Sequence, residues 1–317
     1  MKVLCEQNAW KYFREYVESY GFSVEGGQVL LYSDAGIDAS GVSFRSSYPP
    51  VDGDEHVVFM AKFNVEWLKW NSERVVGDGL ANGLPMRVGC WNTEQFSRGH
   101  MLMEYIEAIL ELEEVFPDLK YSLFDYSQGN MHLLNKYGYK SYHLPYVWDK
   151  AEKAMFDRLR AEVVAADEEG KYDIGFIGSL SDRRMNILQG LTAKGYEVVR
   201  ITGWGEDRDR EIMRCKIVVN LHYDMTYQLY EGVRCDRLVM AGCHIVSENS
   251  IDDGFNDLKG YISISPYTGV IDDCENVLKG WKKGVRGVSV DDGIIAKREK
   301  AKKIFDIFCM IVRQKAA

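Results

Sequence analysis

The spacing of apolar positions changes several times along the chain. At its start Trp10, Phe13, Val17 and Tyr20 recur at helical intervals, which predicts an amphipathic helix over residues 1–20. After Gly26-Gly27 the pattern gives way to short apolar runs. Residues 28–32 read as a strand ending in the polar loop Ser33-Asp34-Ala35-Gly36. Residues 57–61 and 86–91 read as two more strands, the second leading into Asn92-Thr93-Glu94-Gln95. Helical spacing returns over 100–115, where Met101, Tyr105, Ile109 and Leu112 share one side and Pro117 closes the element. A strand over 122–126, a helix over 128–137 and a strand end over 142–145 complete the first half.

Residues 149–170 are charged, rich in alanine and poor in glycine and proline, and predict a connecting helix that marks a domain boundary. Beyond it strands and helices alternate regularly. Strands are predicted at 172–177, 196–201, 217–221, 244–247 and 261–265. Helices are predicted at 182–194, 207–214, 228–241 and 273–283, with a terminal helix at 304–312. Such alternation implies a parallel sheet covered by helices. The expected organisation is a first Rossmann-like α/β domain over 1–150, a second over 151–290 and a terminal helix over 291–317 packing back across the boundary, with a cleft between the two domains. In these sheets ligands sit beyond the carboxyl ends of the strands. That directs attention to the loops following residues 31, 91, 177, 221 and 246.

Composition narrows the partners. The 317 residues carry a net charge of −9, which argues against a dedicated nucleic-acid binder while leaving room for a local basic pocket. The seven cysteines, at 5, 90, 215, 235, 243, 274 and 309, form no CxxC pair, so reduced thiols are the expected state. The start turns charged and aromatic too early for a secretion signal, and no run approaches the ~18 apolar residues of a membrane span. The expected location is the cytoplasm.

Candidate chemistry gathers in the second half. Gly178-Ser179 joins a strand to a helix, a setting where the backbone can approach a phosphate. Arg183 and Arg184 in the first helical turn oppose the helix dipole, as an anion-binding role would explain. Asn220 sits inside an apolar strand with His222-Tyr223-Asp224 at its end. Glu231 and Arg234 lie one helical turn apart, spaced either for a surface ion pair or for a ribose hydroxyl and a diphosphate. A glycine turn and the strand residues Ser247 and Glu248 follow. The triplets Asp52-Gly-Asp54 and Asp207-Arg-Asp209 follow no apolar strand and read as solvated loops, and no His/Cys cluster has metal-ligand spacing.

Taken together, YDIGFIGSLSDRRMNIL, KIVVNLHYDMTYQLYEGVRCDRLVMAGCHIVSE and, earlier, WNTEQFSRGHM, FDYSQGN and HLPYVWD resemble the two-Rossmann-domain (GT-B) glycosyltransferases. The branch resembled is family 1-like, with an E-x-x-R donor helix before a V-S-E strand. The likeness covers roughly residues 86–250. It implies a metal-independent transferase that moves a sugar from a nucleotide-diphosphate sugar to a glycan or other hydroxyl acceptor, with no separate cofactor. Gly178, Ser179, Arg183, Asn220, His222, Tyr223, Glu231, Arg234, Ser247 and Glu248 would surround the donor. Asn92, Glu94 and Gln95 would face the acceptor, supported by Asp125, Ser127 and Asn130, with Glu94 or Asp34 as general base. One departure matters. Many members carry a second glutamate eight positions after the first, where this chain has Val239, so the resemblance does not extend to a retaining mechanism. A sugar-nucleotide epimerase or hydrolase, or a non-catalytic nucleotide- or sugar-binding module, would suit the same scaffold.

Overall fold

In the computed structural model the described residues are 2–6, 14–16, 18–20, 29–32, 57–60, 87–92, 95–117, 119–148, 150–285 and 287–310. The chain forms two compact units, one comprising Met1–Pro145 with Lys300–Ala317, the other Tyr146–Glu299.

In the first unit six parallel strands form one sheet. They are β1 (Lys2–Glu6), β2 (Val29–Tyr32), β3 (Val57–Met60), β4 (Arg87–Asn92), β5 (Lys120–Asp125) and β6 (Ser141–His143), in the order β2-β1-β3-β4-β5-β6. The helix expected over 1–20 is therefore corrected. Lys-Val-Leu-Cys-Glu is a strand paired on both sides, and among the described residues helix appears at 14–16 and 18. A parallel strand paired on both sides needs only a short apolar run such as Val-Leu-Cys, which leaves no alternation to read. Helix α1 (Gly99–Val115) lays Leu102, Tyr105, Ile106, Ile109 and Leu112 against Val88, Cys90 and Leu123, each aliphatic side chain contributing about 1.5–3 kcal/mol by leaving water. Helix α2 (Gln128–Lys136) follows β5, its first turn capped by the Ser127 hydroxyl, which accepts from the Asn130 amide. Phe305, in the part of the chain that returns to this unit, packs with Tyr20, Trp91 and Phe124 at ring-centroid distances of 4.9–5.6 Å.

The second unit holds a five-stranded parallel sheet, order β11-β10-β9-β7-β8. Its strands are β7 (Tyr172–Ile177), β8 (Val198–Ile201), β9 (Cys215–Asn220), β10 (Ile245–Glu248) and β11 (Ser263–Ser265). Helices α3 (Lys150–Ala165), α4 (Asp182–Ala193), α5 (Gly205–Met213), α6 (Gly232–Met240) and α7 (Val270–Gly280) alternate with them, and α8 (Asp292–Met310) leads the chain out of the unit. Ile174 and Phe176 of β7 and Ile217 and Val219 of β9 pack with Ile187, Leu188 and Leu191 of α4 and Val270 and Cys274 of α7. Both sheets are thus parallel and the fold class is α/β. In each, the strand order reverses beside the first strand. In the second unit that point lies between β7 and β9, and crevices outside the carboxyl ends of such strand pairs are where doubly wound sheets hold ligands.

Two further expectations change. The terminal helix begins at Asp292, twelve residues before its apolar stretch. Asp207 and Asp209 lie on α5, and Asp209 is fully buried. Its two oxygens accept from the Nη1 and Nη2 atoms of Arg237 on α6, both at 2.7 Å, and Arg208 adds a third donor group at 2.7 Å. Arg237 also donates from Nε to Glu152 on α3 and lies over the Phe156 ring at 4.6 Å. The triplet fails as a loop because the helical period turns Arg208, Asp209, Ile212 and Met213 inward together, and a guanidinium fork waits for the carboxylate. Asp52 and Asp54 lie outside the described residues.

Candidate functional site

The loop after β7 turns at Gly178, whose φ of +143° side-chain-bearing residues rarely adopt. The space a side chain would fill is taken. A Cβ there would stand 3.2 Å from Arg184 Nη1 and 3.6 Å from Arg234 Cζ. Two guanidinium groups therefore converge on bare backbone at the reversal point of the sheet.

The two arrive from different elements. Arg184 belongs to the first turn of α4, where the Ser181 hydroxyl accepts from its amide at 3.3 Å and donates to the Tyr223 carbonyl at 2.6 Å. The Arg184 side chain, 3% exposed, donates from Nε and Nη2 to the Leu221 carbonyl at 2.9 and 2.6 Å and from Nη1 to the Ser179 carbonyl at 2.8 Å. It thereby ties the loop after β7 to the end of β9. Arg234 rises from the first turn of α6 and donates from Nη1 to Asn220 Oδ1 at 3.2 Å. Asn220 in turn donates to the Ser247 hydroxyl at 3.0 Å. Burial first, and the neighbouring charge of Arg234 second, push the Arg184 guanidinium down to about 10. Like charges have been brought together in a place that disfavours charge.

Arg183, adjacent in sequence, faces elsewhere. Its guanidinium forms a two-pronged pair with Glu248, one arm at 2.5 Å, and lies 3.8 Å from the centre of the Tyr267 ring. Glu248 also accepts from the His222 amide at 3.1 Å. The His222 ring is buried, with Nε2 3.1 Å from the Asn249 carbonyl. A carbonyl only accepts, so Nε2 carries the hydrogen, and buried Nδ1 has no hydrogen-bond partner among the described residues. Arg200, at the end of β8, donates to the Gly178 carbonyl at 3.3 Å.

All ten residues expected around a donor gather at this end of the sheet, yet they do different work. Asn220, Ser247 and Glu248 are buried and spend their polar atoms on one another and on the arginines. Ser179 and Tyr223 are exposed, and Gly178, Glu231 and Arg234 are part-buried. Helix α6 begins at Gly232, four residues later than its apolar pattern predicts, so Glu231 is the residue before the helix. Three guanidinium groups (183, 184, 234) stand against two carboxylates (231, 248) and leave the group net positive within a chain of charge −9. The sequence pointed to Arg183 and Arg184 together as candidates for an anion, but the expected donor set kept only Arg183. The signal was there, because Arg184 shares the helical stripe of Ile187, Leu188 and Leu191 that packs on the sheet. Tyr267 carries no comparable signal.

In the first unit the residues expected on the acceptor side form a buried lattice. Asp125, at the end of β5, accepts from Asn92 Nδ2 at 2.7 Å, the Ser127 amide at 2.8 Å and Asn130 Nδ2 at 3.0 Å. Asn130 Oδ1 accepts from the Phe96 amide at 2.9 Å, which fixes both ends of the loop after β4. Gln95 is buried beside it. Glu94, within that loop, and Asp34 lie outside the described residues.

"Uncharacterized protein L140" of Acanthamoeba polyphaga mimivirus is 30% identical over 272 residues, covering 83% of this chain and 76% of that protein. The chain belongs to its family. Two further family members from the same virus are "Uncharacterized protein L137", 28% identical over 96% of this chain, and "Uncharacterized protein L138", 27% identical over 89%. The chain spans 36% and 29% of the length of those two relatives. No family model matches it.

Proposed function

We propose that the chain is a glycosyltransferase that takes a sugar from a nucleotide-diphosphate sugar and hands it to a glycan or other hydroxyl acceptor, with the donor's diphosphate held by the second unit. The observation that carries this reading is the convergence of Arg184 and Arg234 on Gly178 at the reversal point of a doubly wound sheet. Glycosyl transfer builds negative charge on the departing diphosphate, and fixed guanidinium groups in a half-buried site stabilise that charge without needing to reorganise. A planar fork matches phosphate oxygens two at a time. The exposed backbone of Gly178-Ser179 allows close approach, and the adjoining Tyr223 offers an aromatic face at the rim. The acceptor hydroxyl must lose a proton, a role the proposal gives to Glu94. The Asp125 lattice that anchors the ends of its loop supports this choice.

The test is purified full chain with a panel of nucleotide-diphosphate sugars, with and without hydroxyl acceptors, reading release of the nucleotide. Acceptor-dependent release is the expected result, and EDTA should leave it unchanged. Acceptor-independent turnover would replace the proposal with a hydrolase or epimerase. Binding without turnover would reduce it to a binding module, and a strict manganese requirement would remove the metal-free mechanism.

A further inference from the structure

Glu231 sits where an anion belongs. Its carboxylate reaches both converging guanidinium groups, Oε2 lying 3.1 Å from Arg234 Nη2 and Oε1 3.8 Å from Arg184 Nη2. One oxygen goes to each cation, the arrangement a bridging phosphate would adopt. Helical spacing accounts for the contact with Arg234, three residues on, but not for the reach to Arg184 on α4. Glu231 is the residue preceding α6, a position whose side chain ordinarily accepts from a helix amide, and its own makes no such bond. The carboxylate instead lies between Arg234 of the same helix and Arg184 of α4, with 18% of the side chain exposed.

The energetics explain why something must be there. Arg184 is 3% exposed, and Arg234 crowds it with a second positive charge. Left alone, the two would repel in a medium that screens poorly. Arg184 cannot swing out to relieve this, since three of its donor atoms hold the Leu221 and Ser179 carbonyls. A single carboxylate partly neutralises the pair and keeps both forks aimed at Gly178. A diphosphate carries more charge and more acceptor oxygens, so it can outcompete the carboxylate, whereas a weakly charged anion cannot.

We propose that Glu231 is a built-in competitor of the ligand: it occupies the anion position when the site is empty, must be displaced by the incoming diphosphate, and so sets the affinity threshold that rejects weaker anions. This rests on the reading of the site as a diphosphate site, and it opposes the role the sequence resemblance implies, in which Glu231 holds the donor.

The experiment is calorimetric titration of the full chain with inorganic pyrophosphate and, separately, with sulfate, at fixed ionic strength. Wild type is compared with Glu231→Gln, Glu231→Ala and Arg234→Ala, and each protein's melting curve is recorded. Both Glu231 variants should bind pyrophosphate at least about fivefold more tightly than wild type. Sulfate, which carries less charge than pyrophosphate and should bind wild type more weakly, should also gain affinity in both variants. If wild type binds pyrophosphate and the Glu231 variants bind it equally or more weakly, Glu231 is a ligand contact or a structural residue, and the competitor role is overturned while the anion site stands. If neither wild type nor the Glu231 variants bind pyrophosphate, the diphosphate site itself falls, and this inference with it. Two substitutions of different size guard against one failing to fold.

Discussion

Arg234→Ala should separate binding from folding more cleanly than any other change at the anion site. The Arg234 side chain is 24% exposed and makes two contacts, to Asn220 Oδ1 at 3.2 Å and to Glu231 Oε2 at 3.1 Å. Truncation leaves Glu231 within 3.8 Å of Arg184, so no carboxylate is stranded without a cation. Asn220 loses one donor, and since the Arg234 side chain is 24% exposed, water is expected to reach the place it vacates. The stability loss should therefore stay near the low end of the ~1–3 kcal/mol that an unsatisfied buried acceptor costs. Binding is affected differently. A hydrogen bond to a charged group contributes about 1.5–3 kcal/mol, which at 1.4 kcal/mol per decade is roughly a 10- to 150-fold rise in Kd for a diphosphate. Arg234→Lys keeps the charge and loses the fork, and should fall between the two.

Arg184→Ala supplies the contrast. It deletes the three donor atoms that hold the Leu221 and Ser179 carbonyls, so its loss of affinity would be mixed with a loss of structure. The assay is calorimetry with a nucleoside diphosphate at constant salt, because exposed electrostatic contacts are screened over about 8 Å at physiological ionic strength. Thermal melts of each variant run alongside. An Arg234→Ala protein that binds within about twofold of wild type, at unchanged melting temperature, would remove Arg234 from the site and take with it the observation on which the functional proposal rests.

Three other outcomes follow from the same geometry. Asp209→Ala should destabilise the second unit by about 3–5 kcal/mol in urea titration, because Arg237 and Arg208 would lose the fully buried carboxylate they share; a loss below ~1 kcal/mol would show the network to be dispensable. Gly178→Ala should lower both the melting temperature and diphosphate affinity, since the added methyl meets Arg184 Nη1 at 3.2 Å in a backbone conformation costing ~1–3 kcal/mol. Cys90, Cys235 and Cys274 are buried, and burial pushes their thiols up, Cys274 to about 12, so at pH 8 iodoacetamide should label them only after unfolding, as peptide mapping would show.

How much of this was legible depended on whether a residue's job is local. Strand β7 was readable to its ends because an apolar run bounded by Lys171 and Gly178 leaves no other choice. Strand β1 was not. Five residues of strand carry too little period to read, and the helical spacing beginning at Trp10 drew the prediction back across them. The start of α6 was misplaced because Gln228, Leu229 and Tyr230 continue its apolar pattern, while the chain is held out of the helix by Asp252, which accepts from the Tyr230 amide at 2.8 Å. A contact across twenty-two residues leaves no trace in local spacing. The same holds for Asp209, whose burial is decided by Arg237 on another helix.

The two adjacent arginines show why motif and geometry had to be combined. On a helix, neighbours in sequence point about 100° apart, so an Arg-Arg pair at a helix start offers one side chain to the sheet and one to the loops beyond. Here Arg184 turns under Gly178 and Arg183 turns toward Glu248 and Tyr267. A motif that says only that arginine is present cannot choose between them, and choosing wrongly assigns the ligand to a residue already saturated by a carboxylate. Nor can net charge choose. A chain of −9 repels an anion at long range, so recognition has to come from contacts inside the screening length. What can overcome that repulsion is a short-range feature: two forks, one fixed by carbonyls and one more exposed, aimed at the same stretch of unencumbered backbone. A lysine pair would supply the charge without the aim, and this is why the glycine and the guanidinium groups, more than the surrounding polar residues, carry the argument for a diphosphate.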